Sequence, residues 1–150
     1  LETTGLNPQK DSITEIAACR FINGKLCDQY STLVNPEIPI PKNIVEITGI
    51  TDEMVRDAPL INNVLPDLIK FLGKSPLVGH NINFDFSFIQ QYIVNTELNL
   101  PDSPLYDTLS LARSFIYYYN SFSLTSLCDY YKIPIKQFHR AFADAEATVI

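Results

Sequence analysis

Acidic side chains fall at three chain-reversal points far apart in the sequence, and a histidine accompanies one of them. Glu2 precedes the turn-forming Thr3-Thr4-Gly5. Asp85 ends the passage Gly79-His80-Asn81-Ile82-Asn83-Phe84-Asp85, and Asp144 closes His139-Arg140-Ala141-Phe142-Ala143-Asp144. Hard ions such as Mg²⁺ take carboxylate oxygens as ligands and keep some water. Two such ions about 4 Å apart can clamp the attacking and leaving oxygens of a phosphodiester during in-line displacement. That chemistry needs acids from several elements to converge, one of them bridging both ions. Five residues advance a regular helix by about 140° beyond a full turn, so His139 and Asp144 do not share a helix face. His139 therefore belongs on a loop ahead of the helix, over a site that Asp144 enters from the helix itself. An imidazole so placed suits a general base that takes a proton from water. Thr3 and Thr4 open a turn whose backbone N–H groups can face a ligand.

Each residue also has a plainer explanation. Glu2 can cap a turn, Asp85 can complement the dipole of a first helical turn, and His139 can be an ordinary exposed loop residue. These explanations work one residue at a time and fail for the set. Asp107 at a helix start and Glu15 in a mostly apolar strand read as structural, Glu15 answering a nearby donor. Tyr117-Tyr118-Tyr119 with Phe122 reads as a core-plus-surface aromatic cluster in preference to a base-stacking platform.

The elements that must position these groups follow from pattern. Leu1-Glu2 reads as the end of a buried central strand, and open α/β sheets place ligand chemistry at the carboxyl ends of such strands. A fourth acid would sit two residues before Glu2 on the same strand face. Asn7 to Asp11 is a loop. Ile13 to Ile22 is a strand, Asn23-Gly24 a hairpin turn, and Leu26 to Val34 the returning strand. A two-residue turn sets Phe21 opposite Leu26, Cys19 opposite Asp28, Ala17 opposite Tyr30 and Cys27 opposite Arg20, so Cys19 and Cys27 lie on different faces. Asn35 to Pro41 is an extended connector. Thr51 N-caps a helix start. Ile61, Val64, Leu65, Leu68 and Leu72 have helical spacing, and Gly73 ends that helix. Pro76 to Gly79 is a short buried strand, followed by a helix from about Asn83 to Asn95. Leu105-Tyr106 is a brief edge strand before a helix through Leu109, Ala112 and Phe115. Ser123 caps a helix to Tyr131, and a last helix starts near Ala141 and runs to Ile150.

Length and composition set the outer bounds. The chain has 150 residues, 46% of them apolar, with nine Phe, eight Tyr and no Trp. That suffices for one domain with a sizeable core, clipped at both ends so that its first strand and last helix are incomplete. No apolar run reaches bilayer length and no secretory signal is visible. Three cysteines without metal-ligand spacing read as small buried residues in a reducing, cytoplasmic compartment. A formal charge of −6 argues against a broad basic face for duplex nucleic acid. It is compatible with a narrow site whose acids are neutralised by metal. A hairpin followed by alternating helices and short strands gives an α/β fold, a mixed sheet covered by helices.

Three stretches together resemble a known family. Glu2-Thr3-Thr4-Gly5-Leu6 resembles the remainder of an Asp-x-Glu-Thr-Thr-Gly motif. His80 to Asp85 resembles His-Asn-x-x-Phe-Asp, and His139 to Asp144 resembles His-x-Ala-x-x-Asp. In this order they are similar to the signature of the DEDDh, DnaQ-like 3′→5′ exonucleases. Within that family they most resemble bacterial proofreading exonucleases of replicative polymerases and domains fused to helicases. Ile13 to Ala17, Ile47 to Thr51, Asp107 to Leu109 and Leu124 to Cys128 also fit. The resemblance implies a ribonuclease-H-like fold, with helices on both faces of the mixed sheet, and two Mg²⁺ or Mn²⁺ ions. It implies that Glu2 and Asp144 hold the nucleophile-side metal, that Asp85 acts mostly through water, and that His139 is the base. Thr3 would meet the terminal 3′-hydroxyl through its backbone, and Ile50 and His80 would pack on the terminal nucleotide. The family's first Asp, a ligand of both metals, would fall immediately before Leu1. The activity implied is release of nucleoside 5′-monophosphates from single-stranded or frayed DNA 3′ ends, for proofreading, in company with a replicative polymerase or a fused helicase. Two alternatives stand beside it: an RNA 3′-end exonuclease with the same machinery, and a silent domain that docks a polymerase or partner.

Overall fold

The computed structural model describes residues 1–94, 96–134 and 139–150. The chain begins with β1 (Glu2–Thr3), β2 (Ile13–Ile22) and β3 (Lys25–Leu33), an antiparallel ladder in the order β1-β2-β3. Three helices follow: α1 (Lys42–Thr48), α2 (Asp52–Val55) and α3 (Ile61–Leu72). Then come β4 (Leu77–Gly79), α4 (Ile82–Ile93), β5 (Leu105–Asp107), α5 (Thr108–Phe115), α6 (Leu124–Tyr131) and α7 (Ala141–Ala147). β4 and β5 pair in parallel. The expected mixed α/β fold is present. Its antiparallel and parallel pairings form two ladders among the described residues, β1-β2-β3 and β4-β5. No helix among the described residues is long and apolar enough to cross a membrane.

β2 is the spine. Its first four residues, Ile13 to Ile16, are all buried, which requires cover on both faces. Ile13 and Ile16 join Val34, Val64, Leu65, Leu68, Phe88 and Ile89 in the main core, so α3 and α4 close one side. α7 packs along β2 as well, and its buried Ala141 and Ala147 permit a close approach.

The hairpin departs from the simple register. Phe21 faces Leu26 as expected, but the pairing then slips, so that Arg20 faces Asp28, Cys19 faces Gln29 and Ala17 faces Ser31. Cys27 is the extra residue of a β-bulge; its thiol lies 3.1 Å from the Arg20 carbonyl. The bulge sets Arg20 directly across from Asp28, with Nη1 3.2 Å from Oδ2. Cys19, Cys27 and Cys128 are free, and Cys27 is exposed where a buried residue was expected.

Five other expectations change. α1 occupies a stretch with no expected helix, bounded by Pro41 at its N-cap and by Gly49 in the left-handed region at its C-cap, the asymmetry that favours these two residues. Thr51 holds the N-cap position of α2 without a side-chain cap bond. β4 forms as expected but is not buried, since Val78 is an exposed residue of that strand. The helix expected from Asn83 starts one residue earlier and is described to Ile93; Asn95, its expected end, lies outside the described residues. α7 ends at Ala147, with a turn after it in place of the expected helix to Ile150.

Candidate active site

Asp85, His139 and Asp144 line one cavity of about 780 Å³, together with Leu1 and His80. Each arrives from a different element. Asp85 stands in the first turn of α4, and the Leu1 amino nitrogen lies 2.7 Å from its Oδ1. Asp144 stands in the first turn of α7. His139 precedes that helix with φ 58°, an exposed residue on a loop, where the offset from Asp144 requires it to be.

The passage from β4 into α4 is built by short contacts. A Cβ on Gly79 would come within 2.8 Å of the Ile82 Cβ, so only glycine lets the helix start this close to the strand end. Asn81 takes the left-handed conformation, φ 62°. Its N–H donates to Asp107 Oδ1 at 2.8 Å, and the same carboxylate accepts from the Leu109 N–H and the Ser110 hydroxyl. Burial pushes the Asp107 carboxyl up, but these bonds outweigh it and hold the group below the usual carboxylate range. Asp107 is thus the cap of α5 and the anchor of the loop that carries His80, a structural role as its position suggested. His80 Nδ1 lies 3.1 Å from the Thr108 hydroxyl. Burial is the largest influence on its imidazole, which titrates below the ordinary value.

Negative charge is crowded at the acids. Burial pushes the Glu2 carboxyl up to about 7; the Leu1 ammonium pulls it down, and Asp144, Glu15 and Asp85 add to the rise. Asp144 is also raised, by burial first, while the charge and backbone N–H of His139 draw it down. Among the described residues, Asp144 Oδ1 is buried without a hydrogen-bond partner. An orphaned carboxylate oxygen beside other acids is what a hard cation would satisfy. Among the described residues, no group of three or more His, Cys, Asp or Glu side chains has closed to metal-ligating distance. The donor set fits a divalent ion in kind and in charge.

The turn residues leave a ligand their backbone, the part expected to face one, because their hydroxyls are engaged. The Thr3 hydroxyl donates to the Gly5 carbonyl at 2.6 Å, and the Thr4 hydroxyl accepts from the Ser12 N–H at 3.0 Å. Both residues are buried, so their side chains build the turn and leave only backbone for a ligand. Ile50, expected to pack on a nucleotide, is 0% exposed in a cluster with Ile40 and Val55 and does not line the cavity. Its apolar side chain found a core because α1 and α2 enclose it. Glu15 does find a donor as expected: it accepts from Arg140 and from the Ala141 N–H. Which donor this is was not legible in advance, because the partners lie 125 and 126 residues away at the entrance of α7.

Fold and site together define an α/β domain with an acid-lined cleft suited to hard cations. The chain belongs to the exonuclease family, whose model matches residues 1–150. It is 41% identical over 99% of its length to a DNA polymerase III PolC-type of Caldanaerobacter subterraneus, and 38% identical to that of Bacillus subtilis. It spans 10% of the length of each of these relatives. Among solved structures it is similar to exonuclease X in complex with 5′-overhanging duplex DNA, at a TM-score of 0.78 and 30% identity, covering 99% of this chain and 82% of that one. Escherichia coli exonuclease I in complex with a dA16 oligonucleotide superimposes at a TM-score of 0.84 and 22% identity over 99% of this chain and 37% of that one, a likeness of fold.

Proposed function

We propose that this domain is a 3′→5′ exonuclease that releases nucleoside 5′-monophosphates from single-stranded or frayed DNA ends, as the proofreading activity of a replicative polymerase. The observation that carries the reading is the access of Asp85, His139 and Asp144 to one cavity, with Glu2 electrostatically coupled to both acids. The DNA substrate and the polymerase partner are supported by relatives named DNA polymerase III PolC-type and by the DNA complex of exonuclease X.

Glu2, Asp85 and Asp144 would hold two divalent cations, Mg²⁺ or Mn²⁺, which when bound would supply electrophilic stabilisation of the scissile phosphate and of the two oxygens in line with it. Asp144 brings a carboxylate oxygen that no donor among the described residues occupies. His139 accepts the proton of the attacking water at its imidazole. The water oxygen forms the new bond to phosphorus, the bond to the 3′-oxygen of the penultimate nucleotide breaks, that oxygen takes a proton from solvent to become the new 3′-hydroxyl, and the terminal nucleotide leaves with its 5′-phosphate. His80, held by Thr108, packs on that nucleotide at the cavity wall. Thr3 and Thr4 contribute backbone alone, since their hydroxyls are engaged.

The test uses the full-length natural protein, a 3′-end-labelled DNA oligomer and its RNA counterpart in Mg²⁺. Stepwise release of 5′-monophosphates, faster from DNA and stopped by chelation, is expected. Asp144→Asn and His139→Ala should each lower kcat by about 10²-fold or more, the usual worth of a positioned acid–base group. Faster RNA cleavage overturns the DNA assignment, and unchanged kcat in either variant removes that residue from the mechanism.

A further inference from the structure

We propose that Glu15 and Arg140 form a strand-to-helix clasp that sets the entry angle of α7, and are thereby positioning residues for His139 and Asp144. The inference rests on the exonuclease reading of the site. Glu15 lies on β2, 4% exposed. Its Oε1 accepts from Arg140 Nη2 at 2.7 Å, both its oxygens lie 3.2 Å from Arg140 Nε, and Oε2 accepts from the Ala141 N–H at 2.9 Å. A buried carboxylate is tolerated only when its charge and lone pairs are answered, and the planar guanidinium fork answers both oxygens.

The placement of these bonds gives them leverage. α7 has no side-chain cap of its own; its N-cap residue is Arg140, in an extended conformation. Glu15, 125 residues away, therefore does the capping from across the domain, by holding the first N–H of the helix. One turn later the Asp144 N–H donates to the Arg140 carbonyl at 3.1 Å, so the clasped residue also fixes where Asp144 stands. On the other side of Arg140, His139 sits at φ 58°, a left-handed conformation that a residue with a Cβ adopts at a cost. The surroundings must hold it there. Gripping Arg140 and Ala141 at once fixes the chain immediately after that unfavourable turn.

The clasp also ties the two halves of the site together. Glu15 is the ladder partner of Glu2, so β1, which carries one acid, is registered against the strand that aims the other. With its oxygens saturated by Arg140 and Ala141, Glu15 is kept from competing for cations. Its role is alignment and not ligation.

The experiment compares Glu15→Gln, Arg140→Lys, Arg140→Gln and the neutral pair Glu15→Gln/Arg140→Gln in the full-length protein. Replacing both charged partners of a buried pair is often tolerated, so the neutral pair keeps the test possible where a single variant does not fold. Amide hydrogen exchange of segment 139–147 is measured by mass spectrometry without substrate, alongside kcat and KM on a DNA oligomer. We expect exchange in that segment to rise about tenfold or more in the neutral pair, with β2 and α4 unchanged. We expect kcat to fall by about 10- to 100-fold, in line with the cost of small misplacements of catalytic groups, and KM to move less than about threefold. Arg140→Lys, which keeps the charge without the fork, should fall between wild type and Arg140→Gln in both readouts. Unchanged exchange in segment 139–147, or unchanged kcat in a folded neutral pair, overturns the clasp. A wild-type protein inactive on DNA ends overturns the exonuclease reading instead; the clasp is then decided by the exchange measurement alone.

Discussion

Glu2 carries the clearest energetic mark of a site gathered for charge. Its carboxyl is raised from 4.5 to about 7, by burial first. Between those values the folded chain holds a proton that the unfolded chain has released. The stability this group contributes is therefore present in full below pH 4.5 and is lost as pH rises through about 7. A divalent ion held at the same carboxylates, as proposed, would replace the proton, so its binding would strengthen over the pH range in which stability is lost. We expect the Tm of the metal-free protein to fall between about pH 5 and pH 8, and Mg²⁺ to raise Tm more at the higher pH, as linkage between proton and metal requires. Glu2→Gln should flatten both trends. Equal Mg²⁺ increments at the two pH values, measured by calorimetry, would remove Glu2 from the cation site. The placement of His139 on a loop ahead of the helix that carries Asp144 was legible beforehand, because five residues of helix leave few arrangements. The side-chain fates of Thr3, Thr4 and Ile50 were not: a hydroxyl that turns inward and an isoleucine that finds a core depend on neighbours distant in sequence.

Elements place these residues by close approaches, and the β4–α4 passage is one of them. Gly79→Ala puts a Cβ within 2.8 Å of Ile82 Cβ and 2.9 Å of its Cγ1. Neither atom is the far end of a flexible side chain, so α4 itself must move. We expect a loss of about 1–3 kcal/mol, typical of overpacking, read from urea unfolding, with a lower kcat because His80 and Asp85 flank the shift. Wild-type stability in Gly79→Ala would mean that the helix start has slack. The same scale shows where pattern reading succeeds and where it runs out. β2 appeared with the expected bounds, because a long apolar strand before Asn23-Gly24 admits one solution. α3 and its Gly73 stop followed likewise from helical periodicity. The bulge at Cys27 was hidden, since the turn fixes register only beside itself and the pairing of Arg20 with Asp28 prevails further along. α1 escaped because a seven-residue helix carries too few apolar positions to display a period, although Pro41 and Gly49 mark its ends. β4 had the composition of a buried strand, yet it pairs only with β5 among the described residues and stays partly open to solvent.

At the scale of the molecule, apolar burial is divided. A main cluster joins β2, α3 and α4 through Ile13, Ile16, Leu65, Leu68 and Phe88, and a smaller one joins Ile40, Ile50 and Val55 around α1 and α2. The main cluster underlies the acids directly: Phe88 is fully buried on the helix that carries Asp85 in its first turn, with its ring 5.0 Å from that of Phe84. Truncating it removes the support of that turn as well as core volume. Phe88→Ala should cost about 3–5 kcal/mol, a large share of the roughly 5–15 kcal/mol that holds a domain together, and it should raise hydrogen exchange throughout β2, α3 and α4. Ile50→Ala removes a similarly enclosed side chain from a cluster of three buried residues. Its effect should be confined to segment 40–58 as a local opening, with exchange in β2 and α4 near wild type. Native-state exchange on the two variants separates these outcomes. If Ile50→Ala releases β2 and α4 as fully as Phe88→Ala does, the two clusters form one cooperative unit and the acids are held by the whole domain. If its effect stays local, the cleft depends on the main cluster and the clasp, and α1 and α2 are free to yield to a ligand without disturbing it.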